Sequence, residues 1–219
     1  MSDEEATLVV TAGTAMYGLT ELGGLVAGES VVVIGPGPIG LLGVAVAKAL
    51  GAQPVILTGT RDNRLKIGSE LGADHVVNVT KRGSRWRPCA GSNGGKGVDY
   101  VVECSGAPNA VNEAARMVNR GGKICLAAFP HEPVPVDIAH IVRNNIYLYG
   151  IRGEGKSATH RAEAFMRAEA LRRHQDPHPH LRARGPARRR CATPRERIED
   201  AIKVVVKARG VAVRREAAE

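Results

Sequence analysis

The chain predicts an α/β fold, a Rossmann-type doubly wound parallel sheet with helices on both faces, and three observations carry that expectation. Gly35-Pro36-Gly37-Pro38-Ile39-Gly40 is a Gly-x-Gly-x-x-Gly run. It directly follows the apolar stretch Val31 to Ile34 and directly precedes the apolar Leu41 to Ala47, the strand, turn and helix order that dinucleotide binding requires. Beyond it, short β-branched runs alternate with helical patterns, which calls for parallel strands joined by crossover helices.

Each element has its own signal. Val31 to Ile34 is the first strand, and the apolar run after the glycine turn is the first crossover helix. Pro54 to Thr58 reads as a second strand, Asn63 to Leu71 as a helix closed by Gly72, and His75 to Val79 as a third strand. Val98 to Cys104 is a fourth strand, Asn109 to Val118 a helix, Lys123 to Ala128 a fifth strand and Ile146 to Tyr149 a sixth.

The three glycines of the first turn have separate mechanical tasks. Gly35 permits the tight turn, Gly37 lets the backbone approach a pyrophosphate, and Gly40 lets the helix pack against the strand. With Pro38 and Ile39 they open a helix N-terminus, whose unpaired N–H groups and positive dipole end favour an anion. In such sheets ligands lie across the carboxyl edge at the switch in strand order. Gly35, Gly59, the Cys104-Ser105-Gly106 turn and Ala127-Ala128-Phe129 all fall at strand ends on that edge, and they join the candidate cofactor-binding residues. A flavodoxin-like receiver, or an α/β fold that binds no nucleotide, shares the apolar stretches; packing alone does not explain small residues along one edge.

At 219 residues and 43% hydrophobic, the chain has one ordinary core and is short for two large domains. No window reaches the run of about 18 apolar residues that a spanning helix needs. Met1 to Glu5 is an acidic start rather than a basic signal region, so a cytoplasmic chain with no membrane partner is expected. Cys89, Cys104, Cys125 and Cys191 lack any Cys-x-x-Cys spacing and read as reduced thiols. His174, His178 and His180 imitate a metal cluster, yet the prolines between them break any helix that would align them; His75, His131, His140 and His160 stand isolated. No metal ligand and no catalytic residue is assigned.

The formal charge of +9 would suggest nucleic acid, but its distribution argues otherwise. Arg167 to Arg195 holds nine arginines against Glu169 and Asp176, a net of +7, and Lys81 to Gly91 adds +4, so the rest of the chain stands at −2.

The segments from Gly28 to Ala52, Arg64 to Val79, Gly94 to Pro108 and Met117 to Phe129 resemble the coenzyme domain of medium-chain, zinc-type alcohol dehydrogenases, in the polyol and threonine dehydrogenase branch. The likeness runs from about Glu4 to Met166 with a break near Arg82, and resumes from Glu196 to Lys207. It implies hydride transfer between an alcohol or ketone and NAD(P). It also implies a helical remnant of a catalytic domain at 1–28, the dinucleotide-binding domain at 29–155 and a helical extension at 156–219. The family's catalytic zinc ligands come from the N-terminal domain; this chain begins after the first two, and the third falls near Val10 or Thr11, neither a usable donor. No zinc is expected in the chain, and little turnover by it alone. A cofactor-sensing module without turnover, and a basic nucleic-acid-binding protein, stand as the other readings, but only the oxidoreductase accounts for the ordered motifs.

The resemblance also bears on cofactor and assembly. NAD-preferring members carry an acid at the end of the second strand, where this chain has Gly59. Gly59-Thr60-Arg61 resembles the Gly-Ser-Arg turn of NADP-dependent members, with Thr60 and Arg61 offered to a 2′-phosphate and Arg64 assisting. NADP is the expected cofactor and NAD the alternative, since Asp62 stands close enough to turn toward a ribose hydroxyl. The strand at 145–150 corresponds to the edge that pairs with its copy in the family, so a homodimer is expected.

Two stretches interrupt the likeness. Arg167 to Arg195 contains no Ile, Val, Phe, Tyr or Lys, and residues 82–93 are likewise basic and unlike the family. Both fit a shifted reading frame in GC-rich coding sequence, whose codons spell Arg, Pro, Ala, His and Gly; both also fit real basic inserts.

Overall fold

The computed structural model describes residues 3–22, 24–81, 97–155 and 157–168, all within the unit Met1–Pro177. The expectations for 82–93 and 169–195, for Cys89 and Cys191, and for the histidines at 174, 178 and 180 lie outside these residues. In chain order the elements are α1 (Asp3–Ala6), α2 (Val9–Tyr17), a single π turn (Gly18–Leu22), β1 (Val31–Ile34), α3 (Pro38–Ala49), β2 (Val55–Gly59), α4 (Asp62–Glu70) and β3 (His75–Asn78). There follow β4 (Val98–Glu103), α5 (Ala110–Met117), β5 (Val118–Leu126), α6 (Ile138–Arg143), β6 (Tyr147–Gly150) and α7 (Ala158–Arg167).

Every strand pair is parallel, and the order is β3-β2-β1-β4-β5-β6. The first three strands step one way from β1 and the next three step the other way, so the order reverses between β1 and β4. Central β1 and β2 are buried along their whole length, as their unbroken Val31-Val32-Val33-Ile34 and Val55-Ile56-Leu57 runs require of a sheet covered on both faces. Edge strands β3 and β6 are partly exposed.

The period-two alternation of a strand assigns the helices to faces. Val32, Ile34, Ile56, Val101 and Ile124 share one core cluster with Ala114 and Ala115 of α5 and Ile141 of α6. On the other face a methyl added at Gly40 of α3 would meet Val33, and one added at Gly68 of α4 would meet Leu57. That face also takes the π turn: the Tyr100 and Tyr149 hydroxyls both donate to Gly18 O, at 2.6 and 2.9 Å. Helix α2 packs on α3 and α7.

The amino edge of the sheet is pinned by two aspartates. Asp99 accepts from the Ser30 amide (2.9 Å), the Ser30 hydroxyl (2.6 Å) and Asn119 Nδ2 (2.9 Å), joining β1, β4 and β5. Partial burial pushes its pKa up, but the Ser30 and Asn119 donors outweigh that and hold it below its ordinary value. Asp74 accepts from the Val55 amide at 2.7 Å and pairs with Lys48 at 2.9 Å; burial again opposes, and these donors again win.

All six strands lie where the sequence places them, with boundary corrections. Helix α4 starts at Asp62 rather than Asn63, and Gly72, at φ +104°, follows its end as expected. Strand β4 ends at Glu103, one residue before Cys104. The largest correction is β5, which begins at Val118 and not Lys123, taking the last residue of the expected helix. Val118 pairs with Val98 and Lys123 with Tyr100, so the register slips across Asn119 to Gly122, and Gly121 at φ +77° absorbs it. Ala127 and Ala128 lie beyond β5, in the loop at its carboxyl end.

Candidate functional site

Four turns leave the carboxyl edge of the sheet side by side, and small residues let them touch. Gly35 follows β1 at φ +99°, a conformation L side chains rarely adopt, and its amide donates to Thr58 O on β2 at 2.9 Å. A Cβ there would lie 2.9 Å from Ser105 Cβ and 3.0 Å from Ser105 N, so the β1 turn and the β4 turn are in contact. A Cβ on Gly106, itself at φ +65°, would lie 2.9 Å from Phe129 O in the loop after β5. A Cβ on Gly59 would collide with the Pro36 ring. From β2 to β5 the rim is therefore continuous: Gly59, Pro36, Gly35, Ser105, Gly106, Phe129.

Helix α3 opens onto this rim. Gly37 is its N-cap, with extended backbone and no side chain capping the first turn, and Pro38 occupies the first helical position. The unpaired N–H groups of that turn are thus available to an anion. A Cβ built on Gly37 meets nothing within 4 Å, whereas one built on Gly40 would sit 2.0 Å from Gly35 O. The glycine roles read from sequence separate cleanly here. Gly35 holds the left-handed turn, Gly40 is forced by close packing, and a side chain at Gly37 would meet open space. The cradle fits a pyrophosphate.

At the β2 end, Thr60 and Arg61 are exposed and Arg64 is half-buried. Asp62 does not face outward alone: it accepts from Asn78 Nδ2 at 2.7 Å and pairs with Lys81 at 3.0 Å. The Asn78 hydrogen bond first, and then Lys81, hold its pKa below the ordinary value. Sequence reading gave Asn78 and Lys81 no role, because each is 16 or more residues away and only the β2 and β3 pairing brings them together.

Glu103, the last residue of β4, is the other residue the sequence did not single out. It is 2% exposed, and its carboxylate accepts from the Ser105 amide (2.6 Å), the Ser105 hydroxyl and the Gly106 amide (3.0 Å). Its main-chain oxygen accepts from Ala127 (2.8 Å) and Ala128 (3.2 Å). Of the candidate residues, Ser105, Gly106, Ala127 and Ala128 are thus tied to one buried acid, Cys104 follows it in the chain with its amide on Ile34 O, and Phe129 abuts Gly106. Phe129 stands 80% exposed at the outer end of the rim. Burial pushes the Cys104 thiol up, with Cys125 and Glu103 adding to it, and pushes Cys125 up to about 12, so neither is a thiolate nucleophile.

The resemblance implies a catalytic zinc, and the donors do not fit one. Among the described residues no group of three or more His, Cys, Asp or Glu side chains could hold a metal ion. Val10 and Thr11 lie in α2 and offer no imidazole, thiolate or carboxylate. Nor is any helix of the described residues long and apolar enough to cross a membrane.

Comparison with known proteins agrees with this geometry. The model of the family described as zinc-binding dehydrogenase matches residues 38–168. The chain is 36% identical over 154 residues to L-threonine 3-dehydrogenase of Bacillus licheniformis, covering 70% of this chain and 44% of that protein. It is 37% identical over 151 residues to L-threonine 3-dehydrogenase of Pyrococcus horikoshii, covering 68% and 42%. The chain therefore spans less than half the length of these curated relatives. Among solved structures, an alcohol dehydrogenase from Thermotoga maritima superposes with TM-score 0.69 at 30% identity, over 78% of this chain and 50% of that one. A protein from Sinorhizobium meliloti 1021, described as a zinc-binding dehydrogenase bound to NADP, gives TM-score 0.66 at 28% identity over 74% and 48%. Sheet order, glycine turn and family match coincide, and the chain belongs to the zinc-type medium-chain alcohol dehydrogenase family.

Proposed function

We propose that this chain is the nicotinamide-cofactor-binding domain of an alcohol or polyol dehydrogenase-like oxidoreductase, with the dinucleotide site at 29–155, a helical remnant of a catalytic domain at 1–28 and a helical extension at 156–219. One observation carries the reading: an uncapped helix N-terminus at the strand-order switch, with Gly37 open and Gly35 and Gly40 closed to any side chain. Gly37, Ile39 and Gly40 would hold the pyrophosphate through main-chain N–H groups, while Pro38, which has no N–H to donate, would fix the start of the helix. Ser105, Gly106 and Ala127 to Phe129 would line the half of the crevice toward β5. The bound dinucleotide supplies the hydride acceptor. What this chain's residues supply is binding and orientation, and since their described donors do not make a zinc site, proton removal from an alcohol is assigned to none of them. Turnover by the chain alone is not expected.

NADP is the cofactor we assign. Gly59 leaves no carboxylate at the end of β2 to repel a 2′-phosphate, and Asp62, the nearest acid, is engaged by Asn78 and Lys81. Arg61, exposed at the start of α4, offers a planar cationic fork, and Thr60 a hydroxyl. The NADP-bound neighbour supports the same choice. A charge-assisted contact worth about 1.5 to 3 kcal/mol corresponds to roughly a tenfold to hundredfold preference over NAD. Calorimetric titration of both cofactors into the wild type and Arg61→Ala tests it: a preference that collapses in the variant is expected, and equal affinities in the wild type would end the assignment. The exposed edge of β6 is the assigned homodimer contact.

A further inference from the structure

We propose that Glu103 is a positioning residue of the crevice, its buried carboxylate building the Ser105-Gly106 turn and, through that turn, the wall that receives the nicotinamide-ribose half of a bound dinucleotide. The proposal rests on the dinucleotide reading of the site above.

A carboxylate at this place needs a reason. Its registered neighbours at the carboxyl ends of the flanking strands are Ile34 on β1 and Leu126 on β5, both apolar, so packing alone would be served by an aliphatic side chain. Burying an acid among them costs free energy unless its oxygens are satisfied. Here satisfaction comes from the turn that follows. Oε1 accepts from the Ser105 amide, the Ser105 hydroxyl and the Gly106 amide, and Oε2 lies 3.3 Å from the Gly106 amide. The Ser105 hydroxyl extends the arrangement by one residue: it donates to Glu103 and accepts from the Ala107 amide at 3.1 Å. No Lys or Arg among the described residues pairs with this carboxylate, so its part is that of an acceptor for main-chain N–H groups.

What the turn does follows from its contacts. Ser105 backs directly onto Gly35, and Gly106 onto Phe129 O, with no room for a Cβ at either glycine. The main-chain oxygen of Glu103 meanwhile fixes Ala127 and Ala128. One residue therefore sets the β4 turn and the β5 loop together against the β1 glycine turn. Because β1 lies between β2 and β4, a dinucleotide spanning the switch has its adenosine half on the β2 side and its other half on the β4 and β5 side. Glu103 acts on the second half alone.

The test titrates the full chain with NADP and with adenosine 2′,5′-bisphosphate, a probe of the adenosine half only, for wild type, Glu103→Ala, Glu103→Gln and Ser105→Ala. We expect Glu103→Ala and Ser105→Ala each to weaken NADP about tenfold, the scale of one lost charge-assisted hydrogen bond, while the bisphosphate changes less than about twofold. Glu103→Gln keeps an acceptor oxygen and should restore most of the NADP affinity. Should Glu103→Ala lose the wild-type thermal transition, the contrast between Ser105→Ala and Glu103→Gln decides. Equal losses for both probes, or none for either, would overturn the role given to Glu103 and leave the crevice reading standing. A wild type that binds neither probe would remove the crevice reading, and this inference with it.

Discussion

Replacing Gly37 by alanine should separate binding from folding. The residue sits at φ −81° and ψ −179°, extended backbone open to any L residue, and the added methyl meets no protein atom within 4 Å. Two small effects on stability then oppose each other. Alanine restricts the unfolded chain and gains about 0.4–1 kcal/mol, while as an N-cap it is poorer than glycine by roughly 0.5–1 kcal/mol. The net change is within about 1 kcal/mol, a shift of a few degrees in Tm. In the proposed binding mode the same methyl would occupy the space through which the pyrophosphate reaches the first turn of α3. Losing one charge-assisted N–H contact costs about 1.5–3 kcal/mol, a tenfold to hundredfold loss of affinity.

Gly40→Ala is the control with the opposite signature. Its Cβ would sit 2.0 Å from Gly35 O, a main-chain atom in a turn that Ser105 blocks from behind. Helix and turn must separate by about 1 Å, and overpacking of that kind costs about 1–3 kcal/mol or more. Thermal unfolding with calorimetric titration of NADP distinguishes the two. Gly37→Ala should melt like the wild type and bind poorly, and Gly40→Ala should melt early. A Gly37→Ala variant with wild-type affinity would refute the placement of the pyrophosphate at this helix.

Acid should unfold the protein in part through Asp99 and Asp74. Both have native pKa values below the ordinary aspartate value of 3.8, so their contribution is complete above that pH and is lost as the pH falls through the lowered native values. Asp99→Asn should flatten the acid limb of urea-unfolding stability measured down to about pH 2, and an unchanged limb would count against the Ser30 and Asn119 contacts as its source. At the other edge of the sheet, Tyr147 is 58% exposed on β6. Light scattering should find a dimer at micromolar concentration and a monomer for Tyr147→Lys, since a charge blunts edge pairing; a monodisperse wild-type monomer would exclude the β6 contact.

The fold was legible because strand and turn signals agreed. β1 is four β-branched residues against a glycine turn, and no competing element fits that string. The start of β5 was not legible. Asn119-Arg120-Gly121-Gly122 has turn composition, and only pairing of Val118 with Val98, across a slipped register, draws it into the sheet. Gly59 was read from its ligand side alone, yet Pro36 leaves no room for a side chain there in any case. A tertiary contact therefore suffices to require this glycine, and Arg61 is the residue on which cofactor choice is to be tested.

The two sides of the switch are built differently, and this explains which residues a sequence betrays. On the β2 side the surroundings are exposed: Asp62 and Lys81 pair through solvent-facing charge, and Arg61, next to Asp62 in the chain, is exposed too. Such contacts tolerate rearrangement, and each contributes little to folding. On the β4 side the wall is tied by a carboxylate 2% exposed, bonded directly to the Ser105 and Gly106 amides and, through the Ser105 hydroxyl, to the Ala107 amide. A lone acid at a strand end reads in sequence as a solvent-facing terminus, since nothing local says that its oxygens point back at its own turn. Main-chain donors leave no side-chain signature. A buried Glu followed by Cys-Ser-Gly at the end of an apolar strand is therefore recognisable only once the register sets it between Ile34 and Leu126, where water cannot serve it and the turn must.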